Sequence, residues 1–263
     1  MKYVLVTGAF GGMGKATVAA LRRQGYGVFA LDKRIEAQEE GVYPIEADIT
    51  DEKAVLAALS AVREKTESLY AILHLAGIYL LDSLVEMPRD SFERIFRINL
   101  HGAFLINKTF FPLLGKGSRI LLVTSELAPL DPLPFTGVYA VTKAALDRYA
   151  YSLRIELLLL DISVSVLRAG AVDTDMIGAS TDALDRFCES TTVYALGADR
   201  FRRIVNGVEA RRIPSATLAA RLCAILKKKK PRFAYAINRN PLLLLLNALP
   251  QRIQLWVIRK ILK

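Results

Sequence analysis

Lys2-Tyr3-Val4-Leu5-Val6-Thr7-Gly8-Ala9-Phe10-Gly11-Gly12-Met13-Gly14 is the stretch that decides the fold. Its first six residues form an apolar run suited to a strand buried in a parallel sheet. Glycines at 8, 12 and 14 follow at once, and Lys15 to Gln24, with Thr17, Val18, Ala19, Ala20 and Leu21, reads as a helix that Gly25 ends. Strand, glycine turn and helix is the order a dinucleotide site needs, because glycines let the backbone approach a pyrophosphate and a helix N-terminus favours its charge. Gly8, Phe10, Gly12, Met13 and Gly14 are the candidate cofactor contacts here. The spacing is Gly-x-x-x-Gly-x-Gly, not the commoner Gly-x-Gly-x-x-Gly.

Val28-Phe29-Ala30-Leu31-Asp32 supplies the next strand, and its acidic end lies 24 residues beyond Gly8, where a carboxylate would meet an adenosine ribose. Asp32 would accept from both ribose hydroxyls and repel a 2′-phosphate, which favours NAD over NADP. Lys33 and Arg34 follow directly and could bind that phosphate instead. Further strands read near 43 to 47, 70 to 75, 118 to 125, 162 to 168 and 232 to 236, with helical patterns between them. This alternation predicts an α/β fold, a single-domain Rossmann-type doubly wound parallel sheet over residues 1 to 236, with its site at the carboxyl ends of the strands. At 263 residues and 52% hydrophobic content the chain can bury one such core.

Tyr139 and Lys143 stand four residues apart, which at helical spacing puts both on one face. A free phenol, with a pKa of roughly 10, is a poor proton shuttle near neutrality. A nearby ammonium and a cationic nicotinamide ring would both favour the phenolate, lowering that pKa toward the range of a general acid or base. Lys143 could also hydrogen-bond the cofactor's ribose hydroxyls. Tyr-x-x-x-Lys alone is usually an ordinary helix surface, and only the glycine turn upstream gives it weight.

In the order Thr7-Gly8-x-x-x-Gly12-x-Gly14, Asp32, Asp48-Ile49, Ala76-Gly77, Asn99, Ser125 and Tyr139-x-x-x-Lys143, residues 2 to about 236 resemble the short-chain dehydrogenase/reductase family. The resemblance implies that Asp48 and Ile49 contact adenine and that Ala76 and Gly77 line the cofactor. It implies that Asn99 holds a water joining Lys143 to solvent, and that Ser125 hydrogen-bonds the substrate oxygen. Val172 and Thr174 would bind the carboxamide, and the helices around 99 to 114 and 137 to 158 would pair subunits into a homodimer or homotetramer. Three departures stand out. The family's Asn-Asn-Ala-Gly reads His74-Leu75-Ala76-Gly77, which loses polar side chains that brace the central strand. Ser125 lies fourteen positions before Tyr139 rather than thirteen, so Glu126 occupies the usual serine position. The family's Pro-Gly appears as Ala169-Gly170.

Residues 173 to 215 lack a strand pattern and read as an insertion over the substrate. There Phe187, Val193, Tyr194, Leu196 and Phe201 either offer an apolar lid or pack as a small core of their own. His74 reads as a packed or cofactor-adjacent imidazole and His101 as a helix-surface residue. Two histidines, with cysteines only at 188 and 223, give no zinc spacing, and no metal is expected. The two cysteines and a first strand starting at residue 2 suggest a reduced, cytoplasmic protein.

The charge of +10 is uneven: Lys227 to Lys263 hold ten basic residues and no acid, leaving 26 of each sign before them. Residues 237 to 263 form a tail in which Leu242 to Leu246 is too short to cross a bilayer, a span that takes about 20 apolar residues. Pro250 to Lys263 projects as an amphipathic helix, with Ile253, Leu255, Val257, Ile258, Ile261 and Leu262 on one face and Arg252, Arg259, Lys260 and Lys263 opposite, Trp256 among them. It suits an anionic membrane surface, or packs on the domain or a second subunit. An acidic carrier protein would also fit, and no nucleic-acid reader motif accompanies the charge. Together these features predict an NAD(P)-dependent oxidoreductase passing hydride between nicotinamide and a hydroxy or keto group of an apolar molecule, lipid-, steroid- or retinoid-like. A nicotinamide-binding regulatory protein and an NAD-dependent epimerase or dehydratase are the alternatives.

Overall fold

The computed structural model describes residues 1–36, 40–209 and 211–263, with side chains throughout these except at 175–182, 196 and 206–209. Strands β1 (Tyr3–Thr7), β2 (Gly27–Asp32), β3 (Val42–Glu46), β4 (Leu69–His74), β5 (Leu114–Ser125) and β6 (Ser163–Ala169) alternate with helices α1 (Gly12–Arg23), α2 (Glu52–Arg63), α3 (Arg89–Phe96), α4 (Gly102–Phe110) and α5 (Gly137–Leu158). A two-residue strand β7 (Val172–Asp173), helices α6 (Asp175–Ser190) and α7 (Ala195–Glu209) and a second short strand β8 (Ile213–Pro214) make up the insertion. Helix α8 (Ser215–Leu226), strand β9 (Ala234–Ile237) and helices α9 (Pro241–Ala248) and α10 (Gln251–Leu262) complete the chain.

Seven strands join in the order β3-β2-β1-β4-β5-β6-β9, all parallel. The order reverses between β1 and β4, which opens a crevice at their carboxyl ends. Successive side chains alternate between the two faces, as the two-residue period of a strand demands. Leu5, Phe29, Ile72, Ile120 and Val164 pack on one face with α2, α4 and α5 residues. Val4, Val28, Leu73, Leu121 and Leu167 pack on the other with α1 and α8 residues. Burial on both faces explains why these strands read as unbroken apolar runs.

One element differs from the sequence reading, and a second settles between its alternatives. The helix expected over 99 to 114 is broken: a π turn at Arg97–His101 separates α3 from α4, and β5 already begins at Leu114. The insertion builds its own core, in which Phe187 and Phe201 are buried with Leu81 and Leu184, and half-buried Phe135 packs against them. Tyr194 packs edge-on to Phe135, whereas Val193 is exposed and Leu196 lies outside the described side chains. Its aromatic residues therefore hold the insertion together.

Candidate active site

The glycine turn is built for close approach. Gly8 has φ +69°, a region L side chains avoid, and a methyl there would lie 2.6 Å from Ala76 N at the end of β4. A methyl on Gly14 would lie 2.0 Å from Gly8 O. Helix α1 then starts at Gly12 with no side chain capping its first N–H groups and no acid in its first turn. Free donors at a positive helix end form an anion site, so these residues fit a pyrophosphate. Met13 lines the adjoining cavity, and Gly12 stands against Thr174, whose Cβ would lie 2.8 Å from an added methyl.

Asp32 ends β2, with Oδ2 accepting from Phe10 N at 2.8 Å and Oδ1 from Lys33 N at 2.7 Å. Phe10 thus ties the turn to the acid. Lys33 Nζ reaches Asp48 Oδ2 at 2.9 Å. Burial would raise the Asp48 carboxyl, but hydrogen bonds from Thr50 N, Lys33 and Thr50 Oγ1 outweigh it and hold it at about 2. Ile49 is turned into the core, where its Cδ1 would meet a methyl on Gly102 at 2.6 Å.

Ser125 at the end of β5 and Tyr139 and Lys143 in the first turns of α5 meet in one cavity of about 200 Å³. The Ser125 side chain acts on the Tyr139 phenol, favouring its ionised form. Lys143 Nζ donates to Val123 O at 3.3 Å and lies 5.7 Å from the Tyr139 ring centroid. Burial pushes Tyr139 up to about 12, against a smaller opposing effect of Ser125, and burial pushes Lys143 down to about 8. Both groups lose water in this pocket, and that loss sets the direction of each shift.

Asn99, on the π turn, pins the loop after β4: its Oδ1 accepts from Ile78 N at 2.8 Å, and its Nδ2 donates to Ile78 O at 2.9 Å and Thr142 Oγ1 at 3.2 Å. A methyl on Gly77 would sit 3.1 Å from Asn99 Oδ1 and 3.5 Å from Lys143 Nζ. Gly77, Val172 and Thr174 line the same cavity, and Ala76 stands just before it. The loss of bracing at residues 74 to 77 is corrected: His74 Nε2 pairs with Asn107 Oδ1 at 2.8 Å, and Asn107 Nδ2 donates to Tyr149 Oη at 3.1 Å. His74 is wholly buried, which holds it neutral at about 4 despite the Asn107 hydrogen bond.

Several site residues escaped the sequence reading. Leu127, Leu133, Ile204, Val205 and Leu243 make the cavity apolar. Leu243 belongs to α9, and a buried carboxylate brings it there: Glu126 Oε2 accepts from Asn240 N at 2.6 Å. Asn240 Oδ1 in turn caps α9, accepting from Leu242 N at 2.9 Å. Burial raises the Glu126 carboxyl, with Asn240 N–H and Arg239 opposing. Ser125 therefore takes the position beside Tyr139, and Glu126 fastens the tail.

A parallel seven-stranded sheet, a glycine turn on α1 and a Ser-Tyr-Lys cluster at the strand ends define a dinucleotide-dependent oxidoreductase of Rossmann type. Residues 2–185 match the family described as short chain dehydrogenase, and the chain belongs to that family. The NADPH-dependent 1-acyldihydroxyacetone phosphate reductase of Schizosaccharomyces pombe is 28% identical over 192 residues, 69% of this chain and 65% of that one. Estradiol 17-beta-dehydrogenase 2 of Mus musculus is 32% identical over 197 residues, 70% of this chain but only 51% of that one. A short chain dehydrogenase family protein from Francisella tularensis superposes with a TM-score of 0.75 over 90% of this chain and 97% of that one, at 22% identity. That likeness concerns the fold.

Proposed function

We propose that this oxidoreductase interconverts a carbonyl and a hydroxyl on an apolar molecule, with NAD as the preferred partner. The meeting of Ser125, Tyr139 and Lys143 in a mostly apolar cavity carries the reading. When bound, nicotinamide would supply or remove hydride. Gly8, Phe10, Gly12, Met13 and Gly14 would hold its pyrophosphate end, and Asp32, Asp48 and Ile49 would border the adenosine. Ala76, Gly77, Val172 and Thr174 would flank the nicotinamide end. Tyr139, protonated throughout the neutral range, gives its proton to the substrate oxygen, and Ser125 hydrogen-bonds that oxygen. Lys143 orients the ribose and stays close enough to its titration range to pass a proton on. Asn99 acts by fixing Ile78 and Gly77 beside Lys143, with the water relay as its second role.

Asp32 supports NAD, since its carboxylate would face a 2′-phosphate. Lys33, the nearest cation in sequence, is already engaged by Asp48. The S. pombe relative's name specifies NADPH, so the preference needs its own test. Absorbance of NADH and NADPH should be followed against a panel of hydrophobic ketones and aldehydes. NADH turnover at higher kcat/KM than NADPH is expected, and Asp32→Ser should narrow the gap by roughly tenfold, the worth of one or two charge-assisted hydrogen bonds. NADPH preferred by the unaltered protein would overturn the assignment. Lipid-, steroid- and retinoid-like carbonyls head the panel because the cavity wall is apolar. The outer face of α5, where Val141, Tyr151, Ile155 and Leu158 are exposed, supports pairing of two copies.

A further inference from the structure

The ten basic residues that follow Leu226 do not form one patch. Lys227 to Lys230 lie where α8 ends, beside Arg119 near the start of β5, whose guanidinium donates to Leu226 O and to Lys228 O at 2.7 Å. That is the amino-terminal edge of the sheet. Strand β9 then runs parallel to its neighbours and delivers Arg239, α9 and α10 to the opposite edge, where the cavity opens.

Helix α10 presents two unlike faces. Gln254 is buried, with Nε2 donating to Leu249 O at 2.8 Å, and Val257, Ile258 and Leu262 are half-buried one and two turns on. Leu262 packs on the core of the insertion. Half of the apolar face predicted for a membrane, Val257, Ile258 and Leu262, is thus spent on the protein, while Ile253, Leu255 and Ile261 stay exposed. The face left to solvent carries Arg252, Leu255, Trp256, Arg259, Lys260 and Lys263, with Trp256 64% and Leu255 66% exposed. Arg252 and Lys260 stand one turn on either side of Trp256. On α9, Leu243 lines the cavity while Leu242 and Leu245 are 70% and 64% exposed.

We infer that α9 and α10 form a docking surface for an anionic lipid bilayer, with α9 as the partition between that bilayer and the substrate cavity. Charge complementarity selects this occupant: α10 sets four cations and no acid of its own around Leu255 and Trp256, and an acid, Asp131, meets α9 through its N–H, which donates to Asn247. An indole flanked by long basic side chains suits the headgroup layer, where the ring stays apolar and the ammonium and guanidinium groups meet phosphate. No helix among the described residues is long and apolar enough to cross a membrane, so the contact is peripheral.

Trp256 is the chain's single tryptophan, so intrinsic fluorescence reports on this face alone. The full chain should be mixed with vesicles of phosphatidylcholine plus phosphatidylglycerol, or of phosphatidylcholine alone, and followed by emission maximum and cosedimentation. A blue shift and sedimentation with the anionic vesicles only, weakened by salt, are expected. Arg252→Gln, Arg259→Gln, Lys260→Gln and Lys263→Gln combined should weaken binding by roughly tenfold or more, since each basic group near an anionic surface contributes appreciably. Gln at all four of Lys227 to Lys230 removes the same charge from the far edge and should leave the shift in place. Equal loss in both variants, no response to anionic vesicles, or a shift that tracks protein concentration without vesicles would overturn the proposal, the last pointing to a second copy on this face. No substrate is needed, so the outcome is separate from that of the proposed reaction.

Discussion

His74 replaces one kind of brace with another. The imidazole reaches across from β4 to Asn107 on α4, which passes the contact on to Tyr149 on α5, so one buried chain of hydrogen bonds links the central strand to two helices. Its cost is that His74 cannot take up a proton in the folded state until the pH nears 4, while the unfolded chain does so near 6.5. Above pH 6.5 both states leave it neutral and the stability is intact. As pH falls from 6.5 toward 4 the unfolded state binds the proton first, and about 3 kcal/mol is lost. Urea midpoints measured across that interval should fall for the natural protein and fall less steeply for His74→Asn. Identical pH profiles would show that His74 is not the group responsible. Tyr139 is shifted the other way: burial raises its phenol pKa to about 12, so it enters the reaction as a proton donor.

The tie between β5 and α9 is the joint on which the cavity wall depends. Glu126 and Asn240 are 114 residues apart in the chain, yet their hydrogen bond sets Leu243 against the cavity. Glu126→Ala leaves Asn240 N–H without its partner, which should cost ~1–3 kcal/mol and raise KM for apolar substrates several-fold with cofactor affinity unchanged. Glu126→Gln keeps an acceptor oxygen and should recover most of both, and a KM unmoved in the Ala variant would sever α9 from substrate binding. This contact marks the limit of what the chain shows in one dimension. The glycine turn, Asp32 and the Tyr139–Lys143 spacing are local patterns, and each falls at the strand end or helix start expected of it. The parallel sheet was legible for the same reason, since most of its strands carry a short apolar run and helical patterns separate most of them. What Glu126 touches, which face of α10 packs, and where the π turn breaks 97 to 101 depend on distant segments and leave no local sign. The basic tail is the sharpest case: counting charges joined Lys227 to Lys263, and β9 separates them.

For the molecule as a whole, the exposed outer face of α5 predicts association of two copies. Ile155 and Leu158 are 55% and 67% exposed, and replacing both with Glu should shift sedimentation from dimer toward monomer with the fold retained. A natural protein that sediments as a monomer would remove that surface from the account. Joint action of a dinucleotide held on the glycine turn and a proton held on Tyr139, at one substrate carbon and its oxygen, is what this site is proposed to perform. It is tested most directly by Tyr139→Phe, assayed by nicotinamide absorbance with the hydrophobic carbonyl panel alongside a titration of NADH binding. Unchanged NADH affinity and a turnover lowered by about 10²–10⁴, the usual worth of a positioned proton donor, are expected. Turnover that survives in the Phe variant would contradict it.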